Sequence, residues 1–114
     1  MELVLEEDGN IFFINIIGSL DASSSIDLDN LFVKCLDEKK CRIIVNCEKL
    51  EYISSAGLGV FISHFEDIKE KGGFIVFCNL NNSVQSVFEI LGLDQVFRIS
   101  PDIPVAKSYI KENF

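Results

Sequence analysis

Strand-like and helix-like segments alternate along this chain. That alternation predicts an α/β layer fold, with about four helices packed on a mixed sheet of four or five strands. Three observations carry the prediction. An Asp8-Gly9-Asn10 turn separates two apolar segments at the N-terminus. Two short apolar runs, 42–47 and 74–78, lack polar alternation, as expected of strands buried on both faces. Around them, apolar residues recur at three- and four-residue spacing, the mark of one-sided helices.

Residues 3–5 and 11–17 form a hairpin, because Asp-Gly tolerates the positive φ of a tight turn. Gly18-Ser19-Leu20-Asp21-Ala22 follows as a loop with room for a short strand. Residues 24–37 read as a helix whose core face holds Leu28, Leu31, Phe32, Cys35 and Leu36. Ser23, Ser24 or Ser25 can cap it. Strand 42–47 is interrupted only by Asn46. A second helix spans 57–71, with Leu58, Phe61, Ile62, Phe65 and Ile68 facing inward and Gly72-Gly73 ending it. After strand 74–78, Asn82-Ser83-Val84-Gln85 has the pattern of a capping box. It opens a helix with Val84, Val87, Phe88 and Leu91 inward and Gly92 as its stop. A short extended piece, 95–99, leads to Ser100-Pro101, the N-cap and first position of a last helix that ends near Lys111. Right-handed crossovers place successive strands side by side. No linker, repeat or low-complexity tract interrupts the pattern, so residues 1–114 are expected to form one domain.

Composition excludes several classes. Eighteen acidic against ten basic side chains leave a net charge of −8. A nucleic-acid binder needs clustered cations. The densest groups here, Lys39-Lys40-Cys41-Arg42 and Lys69-Glu70-Lys71, are short. Anionic membrane surfaces are disfavoured for the same reason. Apolar runs fall far below the ~20 residues of a membrane span, and the acidic N-terminus lacks the basic region of a signal peptide. A cytoplasmic protein without direct membrane insertion is expected. Hydrophobic residues make up 48% and include ten Phe, enough for a core without disulfides or metal. Cys35, Cys41, Cys47 and Cys78 form no Cys-x-x-Cys pair and read as small core hydrophobes. His64 is the sole histidine, so a multi-histidine metal site is impossible and any Ser-His-Asp triad would depend on it. No metal, cofactor or catalytic residue is expected.

The chemistry-bearing stretch is Tyr52-Ile53-Ser54-Ser55-Ala56-Gly57-Leu58-Gly59-Val60, between a buried strand and an amphipathic helix. Helix N-termini present unpaired N–H groups and a partial positive charge, which stabilise an anion. A phosphate on Ser54 or Ser55 would add about −1.5 to −2 charges there. The two glycines keep bulk low, so another protein's backbone can approach. On the residues alone, both serines also fit the simpler reading of plain helix caps.

The chain resembles a STAS domain, the fold of bacterial anti-sigma-factor antagonists. Four motifs in order carry the resemblance: Gly18-Ser19-Leu20-Asp21-Ala22, Ile43-Ile44-Val45-Asn46-Cys47, the stretch from Tyr52 to Val60, and Phe88-Glu89-Ile90-Leu91-Gly92-Leu93. In that family the loop commonly reads Asp-Ser-Ser/Thr-Gly-Leu-Gly, and a kinase that is also the anti-sigma factor phosphorylates its first serine. Aligned through Gly57-Leu58-Gly59, that serine is Ser55, with Ser54 in place of the Asp and Ala56 in place of the second hydroxyl residue. The resemblance implies a switch. Unphosphorylated, the domain holds a serine-kinase anti-sigma factor; phosphorylated, it is released, and a serine phosphatase resets it. The implied partner surface is Asp21, Ser54, Ser55, Ala56, Gly57, Gly59 and Val60.

Other residues admit two readings. Asp21 either lines the docking surface or closes a turn on its own backbone. Val60 falls off the core stripe as an exposed apolar residue, suited to docking or merely scattered. Ile26 and Val33 lie opposite the core face of the first helix, open to a partner or covering a sheet edge. His64 sits at the boundary of its helix stripe. Asn46 is expected to bond loop backbone near Ser54. Two further functions stand beside the switch. One is a STAS scaffold subunit of a membrane transporter or signalling complex, without phosphorylation. The other is a small α/β enzyme, against which the missing Cys-x-x-Cys and receiver-type acidic pair argue.

Overall fold

Gly9 adopts a φ of 63° and folds β1 (Glu2–Asp8) back on β2 (Ile11–Leu20), antiparallel with Leu5 opposite Ile14. The computed structural model describes residues 2–37 and 42–113 of the protein, so Lys39, Lys40 and Cys41 lie outside the described residues. After β2 come α1 (Ser24–Leu36), β3 (Arg42–Asn46), β4 (Leu50–Ile53), α2 (Ser55–Glu70), β5 (Phe74–Cys78), α3 (Asn82–Ile90), a 3-10 turn over Leu93–Gln95, β6 (Arg98–Ser100) and α4 (Ile103–Asn113). The sheet runs β1-β2-β3-β5-β6, parallel throughout except for β1, and β4 pairs with β2 off this path. Adjacent parallel strands joined through helices are the arrangement that right-handed crossovers require.

The strands' alternation assigns two cores. Ile14, Ile16, Ile43, Val45, Ile75 and Phe77 meet Leu28 and Phe32 of α1, Leu58, Phe61 and Ile68 of α2, and Val84 and Phe88 of α3. On the opposite face, Phe13, Ile44 and Val76 meet Ala106 and Ile110 of α4. An aromatic ladder crosses the larger core. Phe32 meets Phe61 at 5.6 Å, Phe61 meets Phe77 at 4.9 Å, and Phe77 meets Phe88 at 5.2 Å, all edge to face. That geometry suits the ring quadrupole and adds to the area term.

The structure differs from the expectation in instructive places. There is one strand beyond the four or five expected, β4. Its sequence, Leu50-Glu51-Tyr52-Ile53, is too short to display a period. It extends the sheet by pairing parallel with Gly18, Ser19 and Leu20, so the expected loop 18–22 begins as strand. The register shifts between Gly18 and Ser19, and Gly18 takes a φ of 95° there. Ile62 and Leu91, expected inward, are 50% and 58% exposed. Each lies at the margin of its stripe, and Leu91 is the C-cap residue, past the regular helix. The caps also move. Asn81, not Asn82, caps α3 by accepting from the Val84 N–H at 2.9 Å. Asp102, not Ser100, caps α4 by accepting from the Val105 N–H at 3.0 Å. Ser100 is buried at the end of β6. Cys35, Cys47 and Cys78 are buried and stand outside any disulfide among the described residues. Burial pushes the Cys47 thiol far up and that of Cys78 up to about 11, so both stay protonated and inert at neutral pH. Among the described residues, no helix is long and apolar enough to cross a membrane.

Phe61 is fully buried between Phe32 and Phe77. Phe61→Ala is expected to cost about 3–5 kcal/mol in urea unfolding, the range for emptying a buried aromatic site. A loss below about 1 kcal/mol would mean that the ladder contributes little.

Candidate functional site

The site is built where β2 and β4 end together. Leu20 pairs with Ile53, and the Leu20 carbonyl accepts from the Ser54 N–H at 2.8 Å. From this shared end, one chain segment turns through Asp21 into α1 and the other through Ser54 into α2. Two helix N-termini are thereby set side by side.

Ser54 is the N-cap of α2. Its extended backbone (φ −86°, ψ 168°) turns its Oγ back to accept from the Gly57 N–H at 3.2 Å. Its carbonyl accepts from Leu58 at 3.0 Å, closing the first helical turn. Ser55 is therefore the first helical residue, two positions before the expected start at Gly57. It is exposed, and its hydroxyl makes no hydrogen bond among the described residues. The Ser55 and Ala56 N–H groups precede the first intrahelical donor and remain open.

The two glycines separate in role. Gly57 is buried, and a Cβ there would stand 2.7 Å from Leu20 Cγ and Cδ2. Its lack of a side chain is what seats α2 on β2. Gly57, expected on the docking surface, is buried beneath it. Gly59 is exposed, with open space where a Cβ would project. The fold does not require a glycine there, and the open space leaves room for a neighbour's approach. Ala56 is exposed beside it. Val60, expected exposed, is half-buried and packs against the larger core. It stands one helical turn before His64, the α2 residue that meets Asp29 and Phe32 of α1, a neighbourhood that periodicity within one helix could not reveal.

Asp21 supplies the cap that the sequence assigned to Ser23, Ser24 or Ser25. Its Oδ1 accepts from the Ser24 N–H at 3.0 Å and the Ser23 N–H at 3.1 Å, and from both hydroxyls at 3.0 Å. Ser24 Oγ in return accepts from the Asp21 N–H at 2.9 Å, a reciprocal capping arrangement. The Ser24 N–H, then the Ser24 and Ser23 hydroxyls, hold the Asp21 carboxyl at about 2. The carboxylate is exposed and carries a fixed negative charge at the mouth of the site.

Several residues do not join it. Asn46 bonds Asn15 Oδ1 at 2.9 Å and accepts from Asn79 Nδ2 at 2.9 Å and the Glu48 N–H at 3.2 Å. It ties strand ends together instead of reaching the loop at Ser54. His64 Nε2 lies 2.6 Å from Asp29 Oδ1, and its ring stacks on Phe32 at 5.4 Å. It joins α2 to α1, more than two turns along the helix from Ser55. Ile26 and Val33 are exposed on α1. Among the described residues no base is hydrogen-bonded to Ser55, and its hydroxyl stands beside the open N–H donors of the helix start.

A model of the STAS domain matches residues 2–106. The anti-sigma-B factor antagonist of Bacillus subtilis is 30% identical over 84% of this chain and 87% of its own. The fold is that of the anti-sigma factor antagonist SpoIIAA in its unphosphorylated form, with a TM-score of 0.78 at 16% identity over 99% of this chain and 100% of that one. The phosphorylated form of SpoIIAA, a Bacillus cell fate determinant, gives 0.72 at 18% identity over 97% and 98%.

Ser54→Ala removes the α2 cap and should lower stability by about 1 kcal/mol, whereas Ser54→Asp should retain it. Equal stability of all three proteins in urea would show that the cap contributes nothing. Asp21 has a folded value near 2 against an ordinary 3.8. Its stabilisation is therefore complete above the ordinary value and lost as pH falls toward 2. Melting temperatures of wild type and Asp21→Asn should separate at neutral pH and converge at the acid end.

Proposed function

The chain belongs to the STAS domain family, and from that premise we propose that it is an anti-sigma-factor antagonist switched by phosphorylation of Ser55. One observation supports Ser55 over its neighbour. The Ser54 hydroxyl is committed to the Gly57 N–H, while that of Ser55 is exposed and unbonded among the described residues. The relatives' names supply the partner class, an anti-sigma factor.

In this reading the unphosphorylated surface of Ser55, Ala56 and Gly59, flanked by Asp21, docks a serine-kinase anti-sigma factor and frees its sigma factor. Ser54 and Gly57 act from beneath by fixing the start and seat of α2. Val60 contributes at most its exposed part. The kinase supplies ATP and Mg²⁺ and moves the γ-phosphoryl to Ser55 Oγ. The hydroxyl proton is lost and ADP leaves. This chain binds and is modified, and catalyses nothing. A separate serine phosphatase hydrolyses the ester, and the cycle runs in the cytoplasm.

The phosphate brings about −1.5 to −2 charges to a surface that already carries the Asp21 carboxylate. The open Ser55 and Ala56 N–H groups and the helix dipole tolerate the anion within this chain. The partner must desolvate it across the interface, and that cost drives release.

A second reading is a scaffold subunit of a transporter or signalling complex that needs no phosphorylation. The neutral Ser54 cap, where the family commonly has Asp, and the hydroxyl-free Ala56 favour it.

The test is incubation with the partner kinase and ATP, read by intact mass and binding. Wild type and Ser54→Ala should each gain one phosphate, and Ser55→Ala none. Ser55→Asp should bind the kinase at least about tenfold more weakly. Undiminished phosphate on Ser55→Ala would falsify the assignment. Tight binding of a transporter subunit, indifferent to Ser55→Asp, would favour the scaffold.

A further inference from the structure

The two ends of β2 differ in charge. Ser55 stands near its C-terminal end, beside the Asp21 carboxylate. The strand runs ten residues from Ile11 to Leu20, so its other end lies roughly 30 Å away. There an open cavity of about 400 Å³ has a cationic wall. Arg42 enters it from the start of β3, and Lys107 and Lys111 enter it from α4, one helical turn apart. One carboxylate, Asp8, lies among them and pairs with Lys107 at 3.3 Å. Asn10 of the hairpin turn stands at the exposed rim, and Ile11 and Ile110 of the smaller core form the floor.

Such a cluster runs against the net charge of −8. Lysines at i, i+4 spacing repel one another, and Arg42 adds a third positive charge from the sheet. The end of α4 accounts for a lysine at 111, because the helix dipole favours a cation there. It does not account for Arg42, half-buried on a strand. Lys107 is held by Asp8 and by the Phe13 ring, whose centroid is 5.2 Å from its Nζ. Lys111 is exposed and has no ion-pair partner among the described residues, and the Asn10 amide makes no hydrogen bond among them. Three cations against one carboxylate leave the cavity with an uncompensated positive charge and an available amide donor.

We infer that this cavity binds the phosphate or diphosphate group of a small soluble molecule. A phosphate group brings about −1.5 to −2 charges, which matches the local excess. The planar guanidinium of Arg42 suits phosphate oxygens, and the lysines close around them as point charges. A carboxylate, with a single charge, compensates less of the excess. The volume lies near the lower end of small-molecule pockets, about 300–1,000 Å³. Space is therefore left over Ile11 and Ile110 for a small organic body. Nucleic acid and anionic membranes present extended negative surfaces that the whole chain repels. A small anion meets chiefly the charges of the cavity, because more distant ones are screened. The cavity is remote from Ser55, so the inference stands whether or not that residue is phosphorylated.

Isotopically labelled full-length protein in phosphate-free buffer is titrated with inorganic diphosphate and, separately, with acetate. Diphosphate should shift the amide resonances of Gly9, Asn10, Arg42 and Lys111 saturably, with a Kd of about 1 mM or tighter at low salt. The affinity should fall as ionic strength rises. Acetate should bind at least about tenfold more weakly. Lys111→Gln, an exposed change, should weaken diphosphate at least about threefold, with folding checked by circular dichroism. Asp8→Asn, which removes the opposing carboxylate, should tighten it. Absence of shifts, shifts confined to Ser55 and Ala56 at the start of α2, equal binding of acetate, or an affinity unmoved by Lys111→Gln would overturn the inference. Cosedimentation with phosphatidylglycerol vesicles that Lys111→Gln abolishes would give the site to a lipid headgroup and overturn the soluble ligand.

Discussion

The close seat of α2 on Leu20 is the constraint on which the site depends. It exists because Gly57 has no Cβ: any side chain there would run into Leu20 at 2.7 Å. Leu20 is itself fully buried and cannot yield. With the helix pressed onto β2, the Leu20 carbonyl takes the Ser54 N–H, and Ser54, the residue that makes that bond, becomes the cap. Everything else about the site follows in order. Ser54 turns its hydroxyl inward to Gly57, Ser55 becomes the first helical residue, and its own hydroxyl is left at the surface.

The same junction decides the electrostatics. Because Leu20 and Ile53 are paired, the N-termini of α1 and α2 emerge side by side. One is capped by a carboxylate, Asp21, and the other by a neutral hydroxyl, Ser54. The first terminus is thus already compensated and the second is not. An anion arriving at Ser55 meets open N–H groups beneath it and a fixed negative charge beside it. A phosphate changes the whole chain only from −8 to about −10. Its effect is concentrated at one helix terminus, where a partner would have to strip it of water.

Beneath the site the scaffold is stiff. The aromatic ladder from Phe32 through Phe61 and Phe77 to Phe88 locks three helices to the sheet. His64 and Asp29 add a polar tie between α1 and α2. Asn15, Asn46 and Asn79 link the ends of the parallel strands. A surface held this way suits control by charge and shape at the interface, without rearrangement of the fold.

The sequence by itself determined the layer architecture, the core faces of α1 and the buried strands β3 and β5, because those rest on local periodicity and on runs of apolar residues. It also marked the stretch from Tyr52 to Val60, since serines and glycines at a strand-to-helix boundary are distinctive wherever they occur. The motif order further pointed to the family. What it could not supply were the features fixed by contacts between distant segments. Strand β4 shows no period of its own and exists through its pairing with Gly18 to Leu20. Asp21 outcompetes three neighbouring serines as the α1 cap because its carboxylate can collect four donors at once. Gly57 is buried because Leu20 lies against it, and Val60 is half-covered because the larger core reaches its side of α2. Two adjacent hydroxyls, those of Ser54 and Ser55, have equal local claims to the helix cap, and the position of Leu20 decides which one faces the helix and which one faces water.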